Sequence, residues 1–205
     1  MNINSDVRTA LFAYILLLII SFGASIIGGF GQAESLHDPA CAWLYVLRLL
    51  LAGCAVLLPL AGNSKGLSAY GWSISGKWIG ISVALGLAIG LSNKGGFVPV
   101  KISAILLACF HAFATELFFR AYLITALSKA LKTFWPPVLI SSLLYGIFYM
   151  TVWTAWQQQG PGRILFIFLF TAIGILHGYC YKKSGSFLAP WIMHFLGVLN
   201  YRALF

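Results

Sequence analysis

Glu116 is an acidic residue inside a long apolar stretch of the chain. The stretch lies between Lys101 and Lys129, and the charged or basic side chains within it are His111, Glu116 and Arg120. A carboxylate at membrane depth costs at least ~2.5–3.5 kcal/mol even on lenient insertion scales, so an acid kept there indicates a functional site. Glu116 and Arg120 lie four residues apart, which places them on one face of a helix where they can pair.

Two further polar clusters lie in later apolar segments. Tyr145 and Tyr149 are four residues apart and share one helical face, and His194 follows Pro190 near the start of the last apolar segment. A carboxylate, a phenol and an imidazole that converge inside a bundle have the chemistry to move protons and to activate water. Hydrolysis of a peptide bond in the membrane needs such groups, because one must take a proton from water and another must stabilise the oxyanion.

These residues also have structural interpretations. Glu116 and Arg120 would form a buried pair that holds the bundle together, and the two tyrosines would pack as aromatic side chains. His111 precedes Glu116 by five residues, which places it well round the helix. His177 is flanked by Leu176 and Gly178, and we do not assign either histidine to the site from the sequence.

The composition is that of an integral membrane protein. The chain is 60% hydrophobic and 8% charged, with a mean hydropathy of +0.92, whereas a soluble domain is about 25% charged. The net charge of +9 comes from 13 basic and 4 acidic residues. Because the basic residues mostly flank apolar runs, they indicate topology and a lipid bilayer as partner, with no nucleic acid. The four cysteines show no metal-type spacing and are predicted to pack, so no cofactor or metal is predicted.

Apolar segments predict an all-α polytopic membrane protein with a bundle of about seven transmembrane helices, six or eight being the alternatives. The segments are residues 9–30, 41–61, 78–92, 101–128, 137–157, 163–181 and 186–204. The first is longer than the core of a signal peptide, so we predict an uncleaved anchor. Pro136-Pro137, Gly160–Gly162 and Ser184–Ser186 are turn signals between later segments. No repeat or linker is present, and we predict one domain over residues 1–205.

The distribution of lysine and arginine predicts a cytoplasmic N-terminus. With that orientation seven basic residues lie on the inner side and four on the outer side. The inner set is Arg8, Lys65, Lys77, Lys129, Lys132, Lys182 and Lys183, and the outer set is Lys94, Lys101, Arg163 and Arg202.

The three polar clusters resemble, in order, the motifs of the CPBP family. These are the CAAX-processing and bacteriocin-processing intramembrane endopeptidases related to Rce1, also called the Abi family. The first motif, Glu-Glu-x-x-x-Arg, is similar to residues 115–120, with Thr115 at the first Glu. The second, Phe-x-x-x-His, is similar to residues 145–149, with Tyr at both named positions. The third is similar to residues 178–198 and retains His194, with Val198 at the closing Asn.

The resemblance covers about residues 101–200 and implies an intramembrane endopeptidase that cleaves a membrane-anchored protein or peptide. The implied site is rebuilt: Glu116 activates water, Tyr149 and His194 donate hydrogen bonds to the oxyanion or leaving amine, and Arg120 orients Glu116 and keeps it ionised. A prenylated C-terminus, a bacteriocin-type leader or a sorting tag would be the substrate. The small size favours a bacterial inner membrane.

Two alternatives remain open. Thr115 and Tyr149 replace two groups that act in the family's chemistry, so the chain is alternatively a pseudoprotease that binds or chaperones a membrane protein. A transporter is the third possibility, although the polar groups cluster in three C-terminal segments and no matching halves are present.

Overall fold

The structure is a computed structural model that describes residues 3–27, 50, 53, 71, 75–92, 102–151 and 162–198. Within these residues the secondary structure is helical and contains no strand. The helices are α1 (Ile3–Ile27), α2 (Gly76–Ser92), α3 (Ile102–Glu116), π1 (Leu117–Ile124), α4 (Thr125–Leu131), α5 (Trp135–Thr151), α6 (Gly162–Ser184) and α7 (Leu188–Val198).

The run α3–π1–α4 is one continuous rod at the centre of the molecule. All eight residues of π1 are buried, and this segment contacts α1, α5 and α6. A π-helix forms i→i+5 hydrogen bonds and is rare beyond a single turn. The rod contains no glycine or proline between residues 102 and 131, so its local sequence predicts an ordinary α-helix.

Helix α1 has one protein-facing side and one apolar outer side. Ala10, Ala13, Tyr14 and Leu17 are buried at helical spacing. Phe12 on the other side is 69% exposed. The Tyr14 hydroxyl donates to the carbonyl of Leu144 in α5 at 2.8 Å, which ties α1 to the bundle.

Small residues allow the closest helix contacts. The pair α5 and α6 is the most extensive, followed by α2 and α7. A Cβ on Gly146 of α5 would lie 2.8 Å from the carbonyl oxygen of Ile167 in α6. A Cβ on Gly86 of α2 would lie 2.8 Å from the carbonyl oxygen of Met193 in α7. Close backbone approach at small residues is typical of helices packed in membranes.

The connections from α4 to α5 and from α6 to α7 match the predicted turn signals, while residues 152–161 between α5 and α6 lie outside the described residues. Helix α4 ends at Leu131, and its C-cap residue Lys132 has φ of 50°. Pro136-Pro137 lie in the first turn of α5, where missing N–H donors cost little. Helix α6 begins at Gly162 and ends before Gly185, whose φ of 62° suits a glycine cap. The N–H of Phe187 then donates to the carbonyl of Gly71 at 2.8 Å.

The prediction of a helical fold is confirmed, and the number of spans stays a prediction. Among the described residues, Ser5–Gly23 and Ile164–Ser184 are long and apolar enough to cross a membrane. Gly76–Leu91, Trp135–Met150 and Leu188–Val198 are shorter apolar helices. The predicted span 41–61 lies almost wholly outside the described residues, as do Cys41 and Cys54. Cys109 and Cys180 are free thiols, and Cys180 is buried.

Candidate active site

Glu116 is the last residue of α3, at the entry to π1, and its side chain is 0% exposed. Arg120 follows inside π1 and is also 0% exposed. Its Nε lies 3.1 Å from Glu116 Oε2. The contact is an ion pair without an aligned hydrogen bond, since neither atom has a hydrogen-bond partner. The structure therefore contains the pair that the i, i+4 spacing predicts.

Helix α5 fixes the other side of the Arg120 guanidinium. Arg120 Nη1 donates to Ser141 Oγ at 3.3 Å, and Ser141 Oγ donates to the Phe119 carbonyl at 2.7 Å. The guanidinium carbon lies 4.6 Å from the centre of the Tyr145 ring. A desolvated cation–π contact contributes about 2 kcal/mol. These contacts hold a positive charge beside Glu116.

Two histidines from different helices meet the other carboxylate oxygen. His177 Nδ1 of α6 lies 2.9 Å from Glu116 Oε1, and His194 Nδ1 of α7 lies 2.7 Å from the same atom. An ionised carboxylate only accepts hydrogen bonds. We therefore assign the Nδ1–H tautomer to both rings from the hydrogen-bond network. Each neutral imidazole then carries its lone pair on Nε2.

A phenol links this cluster to a third histidine. The Tyr149 hydroxyl donates to His194 Nε2 at 3.3 Å, and its oxygen accepts from His111 Nε2 at 2.7 Å. The Tyr149 ring stacks on Phe170 with centroids 4.3 Å apart. Hydrogen bonds thus run from His111 through Tyr149 and His194 to Glu116. The bond between Tyr149 and His194 is long, so it is the weakest of these connections.

Thr115 occupies the position at which the resemblance places a glutamate. Its hydroxyl lies 2.7 Å from the His111 carbonyl in the same helix and 3.2 Å from the Ala112 carbonyl. Its oxygen lies 3.4 Å from His194 Nδ1. Because the hydroxyl proton is given to the helix backbone, Thr115 supplies a weak acceptor and no base.

The structure brings together all four predicted site residues, Glu116, Arg120, Tyr149 and His194, and adds His177 and His111. The sequence signal for His177 is an imidazole inside an apolar segment, next to the small residue Gly178. His111 does not contact Glu116 directly, as its position round the helix predicts, and it reaches the cluster through Tyr149.

The arrangement also bears on metal binding. Glu116, His177 and His194 place possible ligand atoms within 4.8 Å of one another, and two imidazoles with a carboxylate are the ligands of some catalytic zinc sites. Here both Nδ1 atoms donate to Glu116, and the guanidinium of Arg120 lies 3.1 Å from its second oxygen. A dication would displace those hydrogen bonds and lie next to a fixed positive charge. The donor set therefore does not fit a resident metal, and the absence of a cofactor stays a prediction.

Comparison with known proteins agrees with this site. A family model described as type II CAAX prenyl endopeptidase Rce1-like matches residues 97–199. This range contains the rod and α5, α6 and α7, which carry every residue of the cluster. Searches of curated proteins and of solved structures found no match. The matched range covers half of the chain and includes the three motifs in order, and the chain belongs to the Rce1-like family.

Proposed function

We propose that this protein is an intramembrane endopeptidase that hydrolyses a peptide bond in a membrane-anchored protein or peptide. The observation that carries the proposal is the buried cluster around Glu116, in which one carboxylate contacts two imidazoles and a guanidinium. Family membership supports the reaction class. A prenylated C-terminus, a leader peptide and a sorting tag are the substrate classes to test first.

The cluster supports a division of roles among its members. Glu116 and its imidazole partners take the proton from water, and Arg120 keeps Glu116 ionised and oriented. The hydrogen bond from the Tyr149 hydroxyl to His194 is long, at 3.3 Å. The hydroxyl therefore turns readily to donate to the oxyanion of the tetrahedral intermediate. A single oxyanion donor contributes about 10²–10³ in rate. His194 holds Glu116 throughout and holds Tyr149 until the oxyanion forms.

The proposed setting is a bacterial inner membrane, with about seven spans and the N-terminus in the cytoplasm. Support comes from residues predicted to lie inside, which meet at one end of the bundle. Lys129 Nζ of α4 lies 3.6 Å from Asp6 Oδ2 of α1. Lys182 Nζ of α6 lies 3.0 Å from Ser128 Oγ of α4.

The test compares the terminal peptides of membranes that contain wild-type protein, Glu116→Gln or neither. We expect new termini with wild type alone, because the amide cannot accept a proton or hold two imidazoles as the carboxylate does. Both proteins must accumulate to the same level and elute alike in detergent. Equal processing by Glu116→Gln would refute the proposal that Glu116 is central to the chemistry.

A binding pseudoprotease is the second candidate, and the hydroxyl of Thr115 favours it. That hydroxyl bonds to its own helix, so the family's first carboxylate has no direct replacement at this position. The pseudoprotease predicts a stable partner that co-purifies equally with wild type and Glu116→Gln. New termini that depend on Glu116 would exclude it.

A further inference from the structure

His177 has a role that neither the family motifs nor the sequence analysis assigns. Its side chain is 1% exposed, and its Nδ1 is held 2.9 Å from Glu116 Oε1. Among the residues that the structure describes, its Nε2 has no hydrogen-bond partner although it is buried. A buried polar atom without a partner costs about 1–3 kcal/mol. Such an atom in a polar cluster indicates a bound water or ligand, or a chemical role.

The hydrogen bond to Glu116 determines what this nitrogen can do. Because His177 donates Nδ1–H to the carboxylate, its Nε2 carries a lone pair and can accept a proton. A carboxylate that holds one imidazole nitrogen fixes the tautomer and stabilises the imidazolium that forms, as in hydrolase triads. His177 and Glu116 have the contact that this arrangement requires.

The other candidate bases at the Glu116 carboxylate are already engaged, and His111 does not contact that carboxylate. Glu116 Oε1 accepts two N–H groups, and Oε2 faces the guanidinium of Arg120, whose charge opposes a proton there. His194 makes the same Nδ1 contact as His177, but its Nε2 accepts from Tyr149. The centres of the His177 and His194 rings lie 5.3 Å apart and both rings contact Glu116 Oε1. Because His194 also contacts Tyr149, His177 belongs to the same cluster as the proposed oxyanion donor.

We propose that His177 is the general base of the reaction, with Glu116 as the group that orients it. The inference rests on the proposed function. His177 Nε2 takes one proton from water while the water oxygen bonds to the scissile carbonyl carbon, whose oxygen becomes the oxyanion. As the C–N bond breaks, Nε2–H returns that proton to the leaving nitrogen. The products are a carboxylic acid and an amine, and His177 is neutral again. An imidazole from position 177 thereby replaces the one absent at Tyr149.

The test measures release of the terminus identified with wild type, in reconstituted vesicles that contain wild type, His177→Ala, His177→Gln, Glu116→Gln or Tyr179→Phe. General base catalysis contributes about 10²–10⁴ in rate, so we expect a loss of that size for both His177 variants. Added imidazole should restore part of the rate to His177→Ala in proportion to its concentration, and should not restore Glu116→Gln. Tyr179 lies on the same helix and stacks on Trp135 outside the cluster, so Tyr179→Phe should match wild type.

Three outcomes would overturn the inference. If His177→Ala processes at a rate similar to wild type while Glu116→Gln is inactive, His177 is not the general base, but the proposed function stands. If His177→Ala folds but is inactive and is not rescued by imidazole, the role of His177 is structural. If purified wild type contains one zinc ion per chain and His177→Ala contains none, His177 is a zinc ligand. If wild type itself releases no terminus, the proposed function fails and the inference with it.

Discussion

Charge balance explains how the Glu116 carboxylate can be fully buried. The cluster contains one carboxylate and one guanidinium, both 0% exposed. The desolvation cost of two ions is offset only when each is paired and its remaining polar atoms are bonded. Ser141 bonds to Arg120 Nη1 and the Tyr145 ring faces the guanidinium, while two histidines bond to Glu116 Oε1. Among the described residues Arg120 Nη2 has no hydrogen-bond partner, so the ion pair carries more of the compensation. Each ion should therefore depend on the other.

Arg120→Met should destabilise the protein strongly. It leaves the carboxylate of Glu116 buried and unpaired, which costs about 3–5 kcal/mol. The double variant Glu116→Gln with Arg120→Met should regain part of that stability, because it removes both charges. Thermal unfolding in detergent measures the effect.

The control for Arg120→Met is Lys77→Met, which removes an exposed cation from α2. It should unfold at the wild-type temperature. A melting temperature for Arg120→Met that equals wild type, or a double variant less stable than the single one, would contradict the predicted coupling.

Tyr149→Phe should separate packing from hydrogen bonding. The ring keeps its stacking on Phe170, while His111 and His194 lose the hydroxyl they share. We expect a stability loss of about 1–3 kcal/mol from the affected buried nitrogens. The processing rate should fall by about 10²–10³, the effect of one oxyanion donor. Tyr179→Phe serves as the control in both assays, and an unchanged rate would exclude Tyr149 as a donor to the oxyanion.

At the scale of elements, the site depends on how helices pack around π1. The rod supplies Glu116 and Arg120. Helix α5 carries Tyr149, α6 carries His177 and α7 carries His194. The sequence predicts a continuous helix here, and nothing local marks the change to i→i+5 bonding, since the rod has no glycine or proline. The complete burial of π1 indicates that packing from several helices selects this geometry.

Gly146→Ala should force α5 and α6 apart. The new Cβ would lie 2.8 Å from the Ile167 carbonyl and would also contact Thr171, and backbone atoms cannot move aside cheaply. Overpacking of this kind costs about 1–3 kcal/mol, and processing should fall because α5 carries Tyr149 and α6 carries His177. Gly80→Ala in α2 is the matched control, since nothing lies within 4 Å of its Cβ. Equal melting temperatures for the two variants would show that the contact between α5 and α6 accommodates a Cβ at position 146.

At the scale of the molecule, apolar surface and charge placement indicate how the bundle lies in the membrane. Phe12 of α1 and Phe168 of α6 are 69% and 67% exposed, and both lie in helices long enough to cross a bilayer. Large apolar side chains on the outside of a bundle face lipid. The basic end formed by Lys129 and Lys182 is then the predicted cytoplasmic face.

A cysteine-labelling experiment tests this orientation. In a variant without the native cysteines, Ser5→Cys should react with a membrane-impermeant maleimide only after the cells are opened. Lys94→Cys, predicted to lie outside, should react in intact cells. Labelling of Ser5→Cys in intact cells would show the opposite orientation. The control is that the cysteine-free parent protein processes substrate as well as wild type.

Local spacing in the sequence determined the helical class, the order of the family motifs and the pair of Glu116 with Arg120. Residues four apart on a helix are neighbours whatever surrounds them. Only the tertiary structure decided that His177 and His194, 61 and 78 residues from Glu116, meet on one carboxylate oxygen. It also decided that His111 reaches the site through Tyr149. Those contacts depend on the rotation and packing of separate helices, which apolar periodicity does not specify in a membrane protein, where lipid-facing and buried surfaces are both apolar.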